Sequence, residues 1–352
     1  MPRYRAAVVG CGGIGRNHAH GYDDHEEIEL VGLADVDTSV LDRAHEEFSN
    51  ADRFTDFASM LEASSPDFVS ICTSHRSHAT LTVDAAEFGV EGIICEKPMA
   101  TSLGEATAMR TAADRTDTKL VIGHQTRFAT AHERARELIA AGRIGTPEAA
   151  SVRTAGGLIN NGTHFVDLTR YVLHDPAPAW CAGHIERQTD RYERGVPAED
   201  ACVGRVCFED GSRLTIETDT PDDLVTDADL VIRGTDGILA IDYRRSLRIV
   251  TPDGVETIEP ETARSLRLRL LDEFIMWVDG TIDDHRCSAS QSYATMEILM
   301  GLYDAVRRQE IIAFPVKTMA NPLQELIESG ELTPAHPGQY DIRHPYASVR
   351  HD

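Results

Sequence analysis

Two stretches of this chain hold residue types whose spacing suggests chemistry. Gly10-Cys11-Gly12-Gly13-Ile14-Gly15 is a G-x-G-x-x-G loop, and Asp35 follows Gly15 by twenty residues. That pattern binds a dinucleotide when it lies between a strand and a helix, with the acid ending the next strand. Gly10 would allow a tight turn, Gly12 would let the backbone approach a pyrophosphate, Gly15 would let the helix pack on the sheet, and Gly13 is a further candidate to bind the cofactor. Ile14 opens the helix whose free N–H groups favour an anion. Asp35 would accept from ribose hydroxyls and repel a 2′-phosphate, so NAD is favoured and NADP remains possible. Arg16 and Arg43 could offset that preference. Asp37 adds to it or serves equally as a helix cap. The second stretch is Glu96-Lys97-Pro98. Lys97 is one of only three lysines, with Lys119 and Lys317. Unlike arginine, lysine can be tuned by burial to exchange a proton.

These residues need a scaffold. The first 125 residues alternate apolar runs (Arg5–Val9, Leu30–Ala34, Phe68–Cys72, Gly92–Cys95, Leu120–Ile122) with amphipathic stretches such as Val40–Phe48 and His78–Phe88. Ser102-Leu103-Gly104-Glu105 is a capping box. The alternation predicts an α/β Rossmann domain, a doubly wound parallel sheet. The loop Thr73–His78, with Thr73, Ser74, His75 and His78 as candidates for the cofactor, then follows one strand. Glu96-Lys97-Pro98 follows the next. Both lie at carboxyl ends, where open α/β sheets bind ligands. Pro98 should hold Lys97 extended.

Beyond about residue 145 the pattern changes. A linking helix, Ala129–Ala141, and a helix near Gly162–Leu173 precede strand-like runs. Asp-Gly pairs at 210–211, 236–237 and 253–254 mark hairpins. Helices near Ala263–Val278 and Ser290–Arg308 follow. The second domain is therefore expected to be α+β with a largely antiparallel, open-faced sheet. The expected division is residues 1–125, 126–317 and a C-terminal extension over 318–352, either an oligomer arm or partly disordered.

The chain of 352 residues carries a formal charge of −24. Nucleic acid is an unsuitable partner, because phosphate neutralisation needs a basic face. No apolar run reaches the 18 or so residues of a membrane span. The N-terminus lacks the features of a signal peptide, so a cytoplasmic protein is expected. The dispersed acidity and scarce lysine suggest a salt-loving source, where a Debye length of about 3 Å in molar salt screens self-repulsion. The seven cysteines contain no C-x-x-C and read as free buried thiols. His18, His20 and His25 lack metal-ligand spacing and read as surface histidines, so no metal is expected. The arginines of Arg264–Arg269 are expected to form ion pairs along a helix.

With these motifs in hand, the chain resembles the glucose–fructose oxidoreductase and inositol dehydrogenase family (Gfo/Idh/MocA) over roughly residues 4 to 315. The resemblance rests on the glycine loop, Thr73–His78, Glu96-Lys97-Pro98 and Gly123–Phe128. Gly156-Gly157 with Gly162–Asp167, and the turn Arg233–Gly237, complete it. It implies an NAD(P)-dependent dehydrogenase acting on a sugar or polyol. Lys97 would bond the reacting oxygen, Glu96 would help position the nicotinamide end, and His164 would be the general base. A histidine suits that role because its ordinary pKa lies near neutrality. Many relatives carry an aspartate where this chain has Asn160, followed by Asn161. Asparagine orients but supplies no charge, leaving a Lys97–Asn160–His164 set. Asp167 is expected to form a salt bridge. Gln125, His124 and Arg127 are candidates to line the substrate side, along with Asn160 and Asn161. Arg127 reads either as a fork for an anionic substrate or as a tie between domains. A homodimer or homotetramer through the open sheet is implied.

Two other functions compete. A non-catalytic dinucleotide-sensing regulator would explain Asn160, but needs neither Lys97 nor His164. A different cofactor-dependent chemistry, such as glycoside cleavage or imine or tetrapyrrole reduction, would use the same scaffold.

Overall fold

The computed structural model describes residues 2–220, 229–242, 246–259 and 264–341. The chain divides into two compact units, Met1–Gln125 with Arg264–Tyr293, and Thr126–Ala263 with Ala294–Asp352.

The first unit alternates strand and helix as expected: β1 (Tyr4–Val9), α1 (Gly13–Asp23), β2 (Ile28–Ala34), α2 (Thr38–Glu47), β3 (Asp52–Phe54), α3 (Phe57–Ser64), β4 (Phe68–Ile71), α4 (His78–Phe88), β5 (Gly92–Cys95), α5 (Leu103–Thr116) and β6 (Lys119–Ile122). All six strands are parallel, in the order β3-β2-β1-β4-β5-β6. The order reverses between β1 and β4, which opens a crevice at their carboxyl ends. Local chemistry starts the helices. The Asp37 side chain accepts from the Ser39 and Val40 N–H groups to cap α2, which settles its alternative role. Ser102 accepts from Glu105 N–H to cap α5, and the Glu105 carboxylate reaches back to Thr101 N–H and Oγ1.

Residues 264–293 correct the expected boundary, because they belong to this first unit. Within them α8 (Leu266–Val278) packs on α1 and β6. Phe274 explains the return. Its ring meets Phe68 edge-on at 5.0 Å, and a Cβ on Gly92 would lie 2.3 Å from it. Only glycine at the start of β5 leaves room for that ring. Burying a phenylalanine this fully is worth roughly 1.5–3 kcal/mol.

The second unit contains α6 (Thr130–Ala140), β7 (Pro147–Thr154), a single π-helical turn (Gly157–Gly162), α7 (Thr163–Val172), β8 (Pro178–Glu186), β9 (Thr189–Glu193), β10 (Val196–Pro197), β11 (Ala201–Phe208), β12 (Arg213–Thr218), β13 (Leu230–Gly234), β14 (Ile238–Asp242), β15 (Ser246–Thr251) and β16 (Gly254–Ile258). It also holds most of α9 (Ala289–Arg308), then β17 (Ile312–Ala313), α10 (Pro322–Glu328) and β18 (His336–Asp341). Nine strands form one sheet in the order β16-β15-β14-β13-β7-β12-β11-β8-β17. The three Asp-Gly turns close the hairpins β11–β12, β13–β14 and β15–β16. Among the described residues of this nine-stranded sheet, only the β12–β7 pair is parallel. Alternation along the strands gives the sheet one buried face (Val152, Val206, Leu214, Ile216, Ile232) and one exposed face (Ser151, Val203, Arg205, Arg213, Arg233). Gly183 and Gly204 let Leu302 of α9 press against the buried side. Within the C-terminal extension, α10 follows the Asn321 cap, and β18 joins β9 and β10 in a small second sheet. The remainder, 342–352, lies outside the described residues.

No helix among the described residues is long and apolar enough to cross a membrane. All seven cysteines are free. Burial, with the Asp35 charge, pushes the Cys11 thiol up to about 12. Burial likewise raises Cys72, Cys95 and Cys202, which disfavours the reactive thiolates.

Candidate active site

The glycine loop begins where β1 ends. Gly10 has φ +87° and lies so close to the next loop that a Cβ would sit 2.7 Å from Cys72 and Thr73 backbone atoms. A Cβ on Gly15 would lie 1.8 Å from the Gly10 carbonyl oxygen. These two glycines close the turn against the sheet. Gly12 and Gly13 do the opposite, since nothing lies within 4 Å of where their Cβ atoms would be. Open space therefore lies beside the first turn of α1, and no side chain caps its amides. Helix amides without acceptors, next to an opening no side chain fills, fit a pyrophosphate. Ile14 is exposed beside them.

Asp35 stands at the end of β2 and holds this cradle. Its Oδ2 accepts from Cys11 N–H at 2.7 Å and its Oδ1 from Asp37 N–H at 2.9 Å. The carboxylate expected to meet a ribose thus also fixes the glycine loop. Each oxygen retains a lone pair for a hydroxyl.

The remaining loops of this unit lie at the same strand ends. Thr73 is half-buried and Ser74 exposed, both open to a ligand. His75 and His78 are 2% and 0% exposed, which corrects their assignment as cofactor contacts. His78 Nδ1 lies 2.9 Å from the Pro98 carbonyl and Nε2 lies 3.3 Å from the Thr73 carbonyl. It braces the Thr73 loop to the Lys97 loop. The Lys97–Pro98 peptide is cis, and Lys97 is half-buried.

Glu96 points inward, only 7% exposed. Its Oε1 lies 3.0 Å from His18 Nε2, and its Oε2 accepts from Lys97 N–H at 3.2 Å. Glu96 was expected to help position the nicotinamide end, and its burial leaves it to act through its neighbours. Burial alone would raise the Glu96 pKa. The His18 hydrogen bond and the positive charges of Arg267 and Lys97 outweigh it, pulling the carboxyl down to about 2. Burial and Arg267 push His18 the other way, below its ordinary value, despite its bond to Glu96. At neutral pH the pair is a carboxylate beside a neutral imidazole. His18 was expected at the surface and is 4% exposed, and His25 is 7% exposed with Nε2 3.2 Å from Asp272. His20 does lie on the surface, against Glu47. No group of three or more His, Cys, Asp or Glu among the described residues could hold a metal.

In the second unit, Gly156 (φ +95°) and Gly157 (φ +78°) turn the chain from β7 into the π-helical turn, and His164 follows in the first turn of α7. Such one-turn π segments recur at functional sites. Two carboxylates fasten this one from outside it. Asp219 accepts from the Gly156 and Gly157 N–H groups at 2.9 and 2.7 Å. Glu199, 0% exposed, accepts from Leu158 N–H at 2.5 Å and from Tyr303 O–H at 2.5 Å. Neither acid carries a motif, and the sequence reading missed both. Asn160 and His164 are half-buried. Asn161 is exposed, but its amide donates to Ala155 C=O at 2.7 Å, so it closes the turn where a substrate contact was expected.

Arg127 is 1% exposed. Its Nε and Nη2 donate to Asp167 at 2.7 and 2.8 Å, and Nη2 lies 3.0 Å from Asp175. Asp167 is the salt-bridge residue expected, and Thr295 O–H adds to it at 3.1 Å. The substrate-fork reading of Arg127 is corrected, because its guanidinium is buried against the carboxylates of Asp167 and Asp175. His124 is 1% exposed, with Nδ1 3.2 Å from Ser292 Oγ, and does not line an opening. Gln125 is half-buried.

Known proteins are similar to this chain in sequence and in fold. Residues 4–124 match the Gfo/Idh/MocA model, described as an oxidoreductase family with an NAD-binding Rossmann fold. D-apiose dehydrogenase of Paraburkholderia graminis is 28% identical over 278 residues, 73% of this chain and 72% of that protein. D-glucoside 3-dehydrogenase of Escherichia coli is 28% identical over 244 residues, 61% of this chain and 69% of that protein. A levoglucosan dehydrogenase solved with NADH and levoglucosan shares the fold, with a TM-score of 0.79 at 17% identity over 89% of this chain and all of that one. Residues 4–124 are thus similar to the NAD-binding Rossmann domain of the Gfo/Idh/MocA oxidoreductase family.

Proposed function

We propose that the chain is an NAD-dependent dehydrogenase or reductase of a CH–OH carbon in a sugar, polyol or related compound. The observation that carries this reading is the open cradle at Gly12 and Gly13, on the same sheet edge as Lys97. The sugar dehydrogenases among its relatives point to the substrate class. The bound dinucleotide would supply the acceptor or donor of hydride. The chain would do the rest. The α1 amides hold the pyrophosphate, and Asp35 accepts from the ribose hydroxyls and disfavours a 2′-phosphate. Lys97 Nζ bonds the reacting oxygen and limits the charge that develops there. An imidazole nitrogen of His164 takes the hydroxyl proton in oxidation and returns it in reduction. Asn160 orients that hydroxyl without adding charge.

The test is incubation with NAD or NADP and a panel of sugars, inositols and sugar acids, followed by cofactor absorbance. Turnover is expected with at least one, with higher kcat/KM for NAD. Lys97→Met should abolish it while leaving NADH binding largely intact; a fully active variant would sink the role given to Lys97. Asn160 in place of a carboxylate favours one second reading, a sensor that binds the dinucleotide without turnover. Tight NADH binding with no turnover on any substrate class would support it. The exposed face of the nine-stranded sheet supports assembly as a dimer or tetramer through that face, to be measured by sedimentation. The acidic composition supports function at high salt.

A further inference from the structure

His18 is a buried histidine of the first unit that the nucleotide cradle does not explain. It lies on the inward stripe of α1 with Gly15, Ala19 and Tyr22. Its Nδ1 is 2.8 Å from Ser70 Oγ on β4, and Ser70 Oγ is 2.6 Å from Tyr22 O–H. All four members of this chain are buried: Tyr22 1%, Ser70 0%, His18 4% and Glu96 7% exposed.

The direction of every bond follows from its acceptor end. An ionised Glu96 only accepts, so His18 Nε2 carries the proton. The ring is neutral, so Nδ1 accepts from the Ser70 hydroxyl. Ser70 has one proton, so Tyr22 donates to Ser70. Arg267 on α8 stands as the nearby cation, its stem 2.8 Å from where a Cβ on Gly21 would be. The Glu96 carboxyl has a matching recess on its other side. A Cβ on Gly123 would lie 3.1 Å from Glu96 Cδ and Oε1. A carboxylate buried this far costs several kcal/mol unless paired, so its place depends on these partners.

We propose that His18 is a positioning residue for Lys97: by holding the Glu96 carboxylate in the Gly123 recess, it keeps a negative charge next to the lysine and so sets the ammonium's reactivity. This rests on the reading that Lys97 acts in the reaction. It adds a link between the helix whose N-terminus forms the nucleotide cradle and the lysine loop. Without the His18 donor, Glu96 either takes up a proton or swings away. Both outcomes remove negative charge beside Lys97, so both favour the free amine.

The scarcity of lysine makes a test possible without any substrate. Reductive methylation of the protein with formaldehyde and cyanoborohydride, followed by peptide mass spectrometry, reads Lys97 against Lys119 and Lys317 as internal standards. Two variants divide the two nitrogens of His18. His18→Gln places an amide donor near the Nε2 position and can reach Glu96; His18→Asn reaches only the Ser70 side. At mildly alkaline pH, His18→Asn should raise Lys97 labelling relative to the other two lysines by roughly threefold or more. His18→Gln should stay near wild type. Unchanged Lys97 labelling in a folded His18→Asn, or equal change in both variants, would overturn the proposal. If His18→Asn does not fold, Gly123→Ala displaces the same carboxyl from the opposite side. It should give the same rise, and unchanged labelling there would overturn the proposal equally. Labelling needs no turnover, so an active Lys97→Met would refute the role of Lys97 in the reaction and leave this result standing.

Discussion

Arg127 offers the sharpest test of structure against motif, because a substrate fork and a buried strut predict opposite phenotypes. Consider Arg127→Met, which keeps the length of the stem and removes the charge. The side chains of Arg127 and Asp167 are 1% and 0% exposed, joined by bonds of 2.7 and 2.8 Å, with Asp175 at 3.0 Å. The guanidinium also lies 5.3 Å from the centre of the Tyr171 ring. Deleting one partner of a buried pair leaves the other charge uncompensated, at a cost of about 3–5 kcal/mol. In a unit of this size each kcal/mol moves Tm by about 2–4 °C, so a fall of roughly 6–20 °C is expected. The surviving folded enzyme should keep its KM, since no substrate contact is lost. Asp167→Leu added to Arg127→Met should recover a large part of the loss, because it removes the stranded carboxylate. Thermal melts and kinetics on the three proteins decide the matter. A Tm within about 2 °C of wild type with a raised KM would refute the strut and restore the fork.

The glycine loop separates packing from binding: Gly13→Ala should melt like wild type but bind NADH more weakly, since its methyl enters open space. Gly15→Ala should lose both, because its methyl would lie 1.8 Å from Gly10 O, and an undisturbed Gly15→Ala would contradict the packing. His18 has its pKa lowered by burial and by Arg267, with Glu96 opposing, so the unfolded chain binds more protons as pH falls below about 6.5. Wild type should therefore lose stability there, and the Tm of His18→Gln should gain on that of wild type between pH 8 and pH 5; parallel curves would show that His18 titrates normally. With a formal charge of −24, Tm should rise from low to multi-molar KCl, and equal melts in both would end the high-salt reading.

What the sequence displayed was whatever depends on neighbours in the chain. The parallel strands, the α5 capping box and the three Asp-Gly hairpins are local signals, and each formed where its residues stand. The division of the chain was not local. Residues 264–293 carry an ordinary amphipathic helix, and what places them in the first unit is Phe274 against Gly92, residues far apart in sequence. Arg127 failed for a related reason. An arginine near a presumed cleft reads the same whether its carboxylate partner is a ligand or Asp167, forty residues away. Asp219 and Glu199 were invisible because they act on backbone N–H groups, which every residue but proline provides.

His18 is different, because a signal was present and was outweighed by its surroundings. Three histidines within eight residues suggest a surface cluster or a metal site, and ligand spacing is the natural criterion for choosing between them. Helical periodicity is a second criterion, and it points elsewhere. Positions 15, 18, 19 and 22 form one stripe on α1, and Gly15 already has to face the sheet for the nucleotide turn to close. That condition alone turns His18 inward, and a buried imidazole needs partners for both nitrogens. Only a residue at a neighbouring strand or strand end could supply them, and the acid that ends up there is Glu96. The glycine that makes the cradle thus also fixes which face of α1 carries its polar residue inward. The same turn that fits a pyrophosphate sets up the hydrogen bond behind Lys97.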